Sequence, residues 1–392
     1  MNASTDFRRA QRIASVELSE IVRLSEQAAA LRRAGRDVIV LSTGEPDFPT
    51  PAPVVEAAHA AALAGQTRYT ATAGTSELRD SVATKAGVTR AEVLISAGAK
   101  QVLANAMLAT LDPGDEVLIP APYWSSYTEI VKMAGGRAVV VPCLMSDDFK
   151  LSPEALEAAI TPKTRWLMLN SPSNPTGAVY STNEIRAFAK VLERHPNIWV
   201  ISDEIYEHLS YVPVTSFRDA APDLMHRTLI VNGLSKAWAM TGWRIGWGIG
   251  PSELIEAMTV IQGQVTSGAC SISQAAGLAA LNGDDGLLKT RRDAFRARRD
   301  KTVAGLNAIR GFRCPRPDGA FYVFPSVTRV MERGGFPSDG AFCSWLLDKA
   351  GVAVVPGRAF GLGGHVRISF AYADDELTEG IDRIFGAVDK LG

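Results

Sequence analysis

Lys236 is followed by Trp238, Met240, Trp243 and Trp247. A lysine held among such side chains has its ammonium form disfavoured, so its amine becomes a nucleophile able to form a Schiff base with a carbonyl. The same side chain could instead snorkel past the tryptophans to water. Upstream, Ser202-Asp203-Glu204-Ile205-Tyr206 places an acid and a phenol together. An aspartate there is costly to bury unless it meets a cation or several donors. Asn170-Ser171-Pro172-Ser173-Asn174-Pro175-Thr176-Gly177 is a proline-braced turn that fixes the carboxamide of Asn174, or simply a turn. Ser96-Ala97-Gly98-Ala99-Lys100-Gln101 leads small residues into a helix whose first N–H groups could hold an anion, and Arg244 stands eight residues after Lys236.

Each of these groups comes after a short apolar run. The runs are Val93–Ile95, Glu116–Ile119, Ala138–Val141, Trp166–Leu169, Ile198–Ile201, Leu229–Val231 and Ile245–Ile249, separated mostly by segments of helical length. That alternation predicts an α/β fold whose seven-stranded sheet is mostly parallel and covered by helices, with ligands met beyond the carboxyl ends of the strands. A helix is expected from about Leu18 to Arg33 and a short strand over Val38–Leu41. Gly44 to Pro51 carries three prolines, a rigid crossing between domains. After Gly283 a basic helical stretch and strands near Phe321–Phe324, Val352–Val355 and Val366–Phe370 predict a smaller α+β domain made from both chain ends. The expected division is 1–45 and 286–392 for the small domain and 46–285 for the large one. Together the strand ends supply an amine, an acid, hydrogen-bond donors, aromatics and an anion-holding helix start, the set that pyridoxal phosphate requires.

With 392 residues, 46% hydrophobic and 21% charged, the chain can bury a sizeable core and is unlike a disordered protein. Lys+Arg 41 against Asp+Glu 42 argues against a general nucleic-acid binder. The four cysteines, Cys143, Cys270, Cys314 and Cys343, form neither a metal pair nor a disulfide framework, which fits a cytoplasmic home. Met1 to Gln11 lacks the apolar core of a signal peptide. The long uncharged window Ala257–Gly283 is broken by Gln262, Gln264 and Gln274, too polar to span a membrane.

The chain resembles the class I, fold type I pyridoxal-phosphate aminotransferases, and within them the bacterial aspartate aminotransferases. The resemblance is carried by Gly44-Glu45-Pro46-Asp47-Phe48, Arg68-Tyr69-Thr70, Pro122-Tyr123-Trp124, Asn174-Pro175-Thr176-Gly177, Ser202 to Tyr206, Ser235-Lys236 through Gly246 and Gly364-His365-Val366-Arg367-Ile368-Ser369. These span nearly the whole chain. The resemblance implies that Lys236 bonds the cofactor aldehyde and then acts as general base and acid. Asp203 would pair with the ring nitrogen, Tyr206 and Asn174 would bind its phenolic oxygen, and Trp124 would stack on the ring. Arg244, Ser235 and the helix start at Gly98, Ala99 and Lys100 would hold the phosphate. Arg367 would grip the substrate α-carboxylate beside Gly44, with Trp124 and Asn174 also near substrate. Tyr69 would reach the partner's phosphate in a homodimer with shared sites. No metal is implied.

Three departures bear on substrate. The partner arginine that binds a distal carboxylate in one branch has no counterpart near Cys270, whereas Lys100 stands where a lysine takes over in the bacterial branch. Glu17 and Ile21 replace a basic residue and a hydroxyl, which weakens acidic selectivity and disfavours prephenate. Gly233 occupies the place of a phosphate-binding serine. The expected reaction is ping-pong transfer of an amino group between an amino acid and a 2-oxo acid, with aspartate and 2-oxoglutarate preferred. Other amino donors (aromatic, branched or alanine) and a β-lyase are the rivals on the same residues. Gly246-x-Gly248-x-Gly250 lacks the spacing of a dinucleotide fingerprint.

Overall fold

The computed structural model describes residues 7–17, 19–284 and 286–391. Leu18 and Asp285, where a helix start and a domain boundary are expected, lie outside the described residues. The strands are β1 Ile39–Val40, β2 Val93–Ser96, β3 Glu116–Ala121, β4 Arg137–Pro142, β5 Thr164–Asn170, β6 Trp199–Asp203, β7 Thr228–Gly233, β8 Gly246–Ile249, β9 Tyr322–Val323, β10 Val352–Ala353, β11 Val355–Pro356 and β12 Val366–Ser369. The helices are α1 Glu20–Arg33, α2 Ala52–Leu63, α3 Ser76–Ala86, α4 Ala99–Thr110, α5 Ser126–Met133, α6 Pro153–Ala159 and α7 Thr182–Glu193. They continue as α8 Phe217–Ala220, α9 Ser252–Val265, α10 Ser271–Leu281, α11 Gly286–Ala308, α12 Thr328–Gly334, α13 Asp339–Lys349 and α14 Asp374–Asp389.

All seven expected strands form one sheet in the order β2-β8-β7-β6-β5-β3-β4. Only β8 runs against its neighbours, pairing antiparallel with both β2 and β7. The remaining strands therefore end on one side of the sheet, where the residues just beyond them converge. β2 and β7 are buried along their full length and β6 everywhere but at Trp199, as expected of strands covered on both faces. One face packs on α2, α3, α7 and α10, and the other on α4, α5 and α9.

β11-β12-β9 form a second, antiparallel sheet, and β1 pairs parallel with β10. The N-terminal strand thus joins the C-terminal part of the chain, as its sequence position among both chain ends anticipates. Gln262, read from sequence only as a polar interruption, is fully buried in α9 and donates to the carbonyls of Thr72 and Ile95 at 2.7 and 2.8 Å. Its carbonyl accepts from Ser96 and Asn105 at 2.6 and 3.0 Å, which ties α9 to β2 and α4. No helix among the described residues is long and apolar enough to cross a membrane.

Candidate active site

A cleft of about 330 Å³ opens at the carboxyl ends of β5, β6 and β7. Its walls include Gly44, Ala99, Lys100, Trp124, Asn174, Asp203, Tyr206, Ser235, Lys236, Arg244 and Arg367. Residues separated by more than 300 positions in sequence, Gly44 and Arg367, thus share one space. Gly98 lies just behind the wall: it has φ 86° at the N-terminus of α4, and a Cβ there would stand 2.6 Å from Arg244 Nη2. Tyr69 is 94% exposed and is not part of its own chain's cleft.

The Lys236 amine donates to the carbonyl of Gly44 at 2.7 Å. Burial, reinforced by the positive charge of Arg367, lowers its pKa to about 8. About a tenth of this amine is therefore unprotonated at pH 7, far more than for an ordinary lysine, and that is the state in which it can attack or take a proton. Asp203 sits at the end of β6 and is only 3% exposed; burial pushes its pKa up to about 6. The Tyr127 hydroxyl donates to Asp203 Oδ2 at 2.6 Å and the Ile205 N–H to Oδ1 at 3.3 Å, and both bonds oppose that rise.

Arg367, on β12, is 1% exposed, and burial lowers its pKa. It donates to Asn174 Oδ1 at 3.0 Å and to the carbonyl of Ser42, and its ring-side contacts are Tyr322 and Phe360 at 4.5 and 4.9 Å. Its Nε has no hydrogen-bond partner, and no acidic side chain among the described residues pairs with it. A buried guanidinium surrounded by neutral groups is matched by a planar carboxylate arriving from outside.

Arg244 adopts φ 57°, a region that a residue with a side chain enters only when its surroundings force it. There it donates to the carbonyl of Thr241 at 2.8 Å and reaches the start of α4, whose first N–H groups and Arg244 together make an anion cradle. Gly246 completes the approach, since a Cβ on it would overlap the backbone nitrogen of Ala99. Gly233 has a comparable cause: a side chain would meet Gly246 Cα and the Ile245 carbonyl, each at 2.9 Å, so a serine does not fit here without a shift of β8. Lys100 places its ammonium 4.8 Å from the centre of the Trp124 ring, at the mouth of the cleft, and burial lowers its pKa.

Two participants escaped the sequence reading. Tyr127 is the donor to Asp203, and Tyr322 shares a hydrogen bond with Tyr206 at 3.0 Å while its ring covers Arg367. Tyr127 lies on α5, the first helix after β3, so its place beyond a strand end is the signal that could have found it.

The family model described as "Aminotransferase class I and II" matches residues 36–384. The chain belongs to this family. It is an aminotransferase, an enzyme acting on amino acids and 2-oxo acids. A relative from Rhizobium meliloti named "Aspartate aminotransferase" is 49% identical over 98% of this chain and 97% of its own length. A relative from Cereibacter sphaeroides named "Aspartate/prephenate aminotransferase" is 49% identical over 95% of this chain and 96% of its own. Among solved structures, the Rhizobium meliloti aspartate aminotransferase superposes with a TM-score of 0.93, covering 98% of this aminotransferase and 100% of that chain at 49% identity. The Thermus thermophilus aspartate aminotransferase with maleate reaches 0.92, covering 97% and 99% at 41% identity.

Proposed function

We propose that this aminotransferase exchanges the amino group between aspartate and 2-oxoglutarate, using pyridoxal 5'-phosphate, as a cytoplasmic homodimer with shared sites. The buried Arg367 without an acidic partner is the observation that carries the reading of an amino-acid substrate, because it demands a carboxylate; the preference for aspartate rests on Lys100. Lys100 supplies a further cation in the same cleft, one not engaged by the α-carboxylate, aldehyde or phosphate roles given to Arg367, Lys236 and Arg244, and suited to a distal carboxylate. Ile21 also lines the cleft and presents an apolar side chain, which leaves Lys100 to read that second group alone and gives no support for prephenate.

The donor set fits the cofactor. Lys236 would hold its aldehyde carbon, Asp203 its ring nitrogen, Tyr206 and Asn174 its phenolic oxygen, Trp124 its ring face, and Arg244, Ser235 and the start of α4 its phosphate. When bound, the cofactor supplies an electron-accepting ring conjugated to the substrate Cα. Arg367 fixes the α-carboxylate, which orients the Cα–H bond. Lys236 Nζ then takes that proton as a base and returns it, aided by a pKa brought close to the working pH. Asp203, held by Tyr127, keeps a facing nitrogen protonated. Its pKa falls as that cation arrives, so the two charges support each other. The Asn174–Arg367 hydrogen bond couples cofactor and substrate grips. Tyr69, projecting from the surface, is the residue expected to complete the partner's phosphate site. The parallel β1–β10 pair supports treating 1–45 and 286–392 as a small domain beside 46–285.

The test is to load the protein with pyridoxal phosphate, follow its visible absorbance, and titrate separately with aspartate, glutamate, alanine, phenylalanine and leucine. Conversion by aspartate and glutamate at the lowest concentrations is expected. Conversion by leucine or phenylalanine first would overturn the substrate, and failure to bind pyridoxal phosphate would overturn the whole reading.

A further inference from the structure

The polypeptide that carries the catalytic groups also walls a second, larger cavity of about 690 Å³. No residue lines both spaces. Asp203 and Tyr206 face the cleft, whereas Glu204 and His208 face the second cavity; Lys236 faces the cleft, whereas Trp238 faces the second cavity. Consecutive residues leaving a strand end diverge to opposite sides, so this backbone is a partition between two chambers.

The second chamber is lined by apolar and polar side chains in nearly equal number, a surface suited to an amphipathic molecule rather than to a purely apolar one. Trp238 and Trp247 supply flat walls, and the His208 ring stands edge-on to Trp238 at 4.9 Å. Four cations line it, from Lys85 on α3, Arg218 on α8, and Lys289 and Arg292 on α11, against the acids Glu204, Glu207 and Asp219. Arg218 is 3.8 Å from Asp219 and Lys289 is 3.4 Å from Asp293, while Lys85 and Arg292 have no acidic partner among the described residues. Arg218 Nη1 and Arg292 Nε are buried nitrogens without an acceptor. Groups of this kind are costly to leave unpaired and mark where an anion would be received.

Glu204 contributes the complementary end. Its Oε1 accepts from Ser202, Ser216 and the N–H of Phe217 at 2.8, 2.9 and 3.0 Å, so that oxygen is saturated. Oε2 has no protein partner and is not among the sealed, unsatisfied atoms, which leaves it open to the cavity. The catalytic residues of the first cleft make no use of this carboxyl.

We propose that this chamber binds a small amphipathic anion, with a flat apolar body against the tryptophans, its negative group at Lys85 and Arg292, and a donor at Glu204. The ligand is distinct from the amino-acid substrate, and its chamber is separated from the cleft by the segments that hold Asp203 and Lys236.

The probe is indole-3-acetate, which has a flat body, one N–H and one carboxylate. Isothermal titration of the pyridoxal-phosphate-loaded enzyme, with maleate at saturating concentration to fill the carboxylate grip of the first cleft, should show one site per chain. Tryptamine, with an ammonium in place of the carboxylate, should bind at least about tenfold more weakly. Lys85→Glu and Arg292→Glu, both at the chamber rim, should each lower indole-3-acetate affinity by about tenfold or more while retaining kcat for aspartate. Saturable binding that maleate displaces, affinity in either variant equal to the parent's, a preference for tryptamine, or no saturable binding at millimolar probe would each overturn the proposal.

Discussion

Replacing Tyr127 by phenylalanine tests the electrostatics of the site through a single atom. The Tyr127 hydroxyl donates at 2.6 Å to a carboxylate that is almost wholly buried, while the ring packs edge-on against Trp124 at 5.4 Å. Phenylalanine preserves that packing and deletes only the donor. A hydrogen bond to a charged group contributes about 1.5 to 3 kcal/mol. At about 1.4 kcal/mol per pKa unit, its loss should raise the Asp203 pKa by about one to two units. Starting from about 6, the variant should titrate at about 7 to 8. Because the cationic ring nitrogen needs the ionised carboxylate, cofactor affinity is full above the Asp203 pKa and is lost as pH falls through it. Pyridoxal phosphate affinity measured by absorbance titration at a series of pH values should therefore decline at a higher pH in Tyr127→Phe than in the parent. Coincident midpoints, or a lower one in the variant, would refute the role assigned to this hydroxyl and the account of why Asp203 can be buried.

Four further outcomes are expected. Lys236→Ala should abolish turnover, measured as oxaloacetate release, while pyridoxal phosphate still binds noncovalently; substantial steady-state activity would remove Lys236 from the base role. Lys100→Ala should raise the KM for aspartate far more than for alanine, and a uniform change would mean that Lys100 does not read the distal carboxylate. Gly246→Ala should weaken cofactor binding, because its methyl group displaces the start of α4; phosphate-site affinity equal to the parent's would contradict that packing. Glu204, pushed up to about 7 by burial, holds its proton more tightly folded than unfolded, so its ionisation costs stability as pH rises from its ordinary value to 7. Relative to the parent, Glu204→Gln should gain about 3 kcal/mol between acidic and neutral pH in chemical denaturation, and a pH-independent difference would count against that burial.

Strand ends were the legible part of this protein. The apolar runs ending before Ser96, Asn170, Asp203 and Lys236 locate β2, β5, β6 and β7, because strands buried on both faces announce themselves by continuous apolar sequence. The groups beyond them meet because parallel strands finish on one side. Arg367 was different: on a strand of its own its residue type suggests a surface ion pair, and only the motif around it pointed inward. Tyr127 and Tyr322 were harder to see for a related reason. Each reads as an ordinary core aromatic of an amphipathic helix or a short buried strand, and its hydroxyl finds a partner 76 or 116 residues away. Nothing local encodes such a meeting. The polar residues of α9 and α10 carried a signal that was read only as an exclusion; Gln262 and Gln274 are buried connectors of the fold.

Arg367 has a consequence beyond recognition. A guanidinium confined among Asn174, Tyr322 and a backbone carbonyl is a local weakness of the free protein, since removing it from water is repaid only when a carboxylate arrives. Part of the affinity for substrate is thus held in advance as instability of the empty cleft, and carboxylate ligands stabilise the fold by mass action. Selection for heat resistance without such a ligand present would favour replacing this arginine by an apolar side chain, giving a sturdier fold that has lost its grip on amino acids.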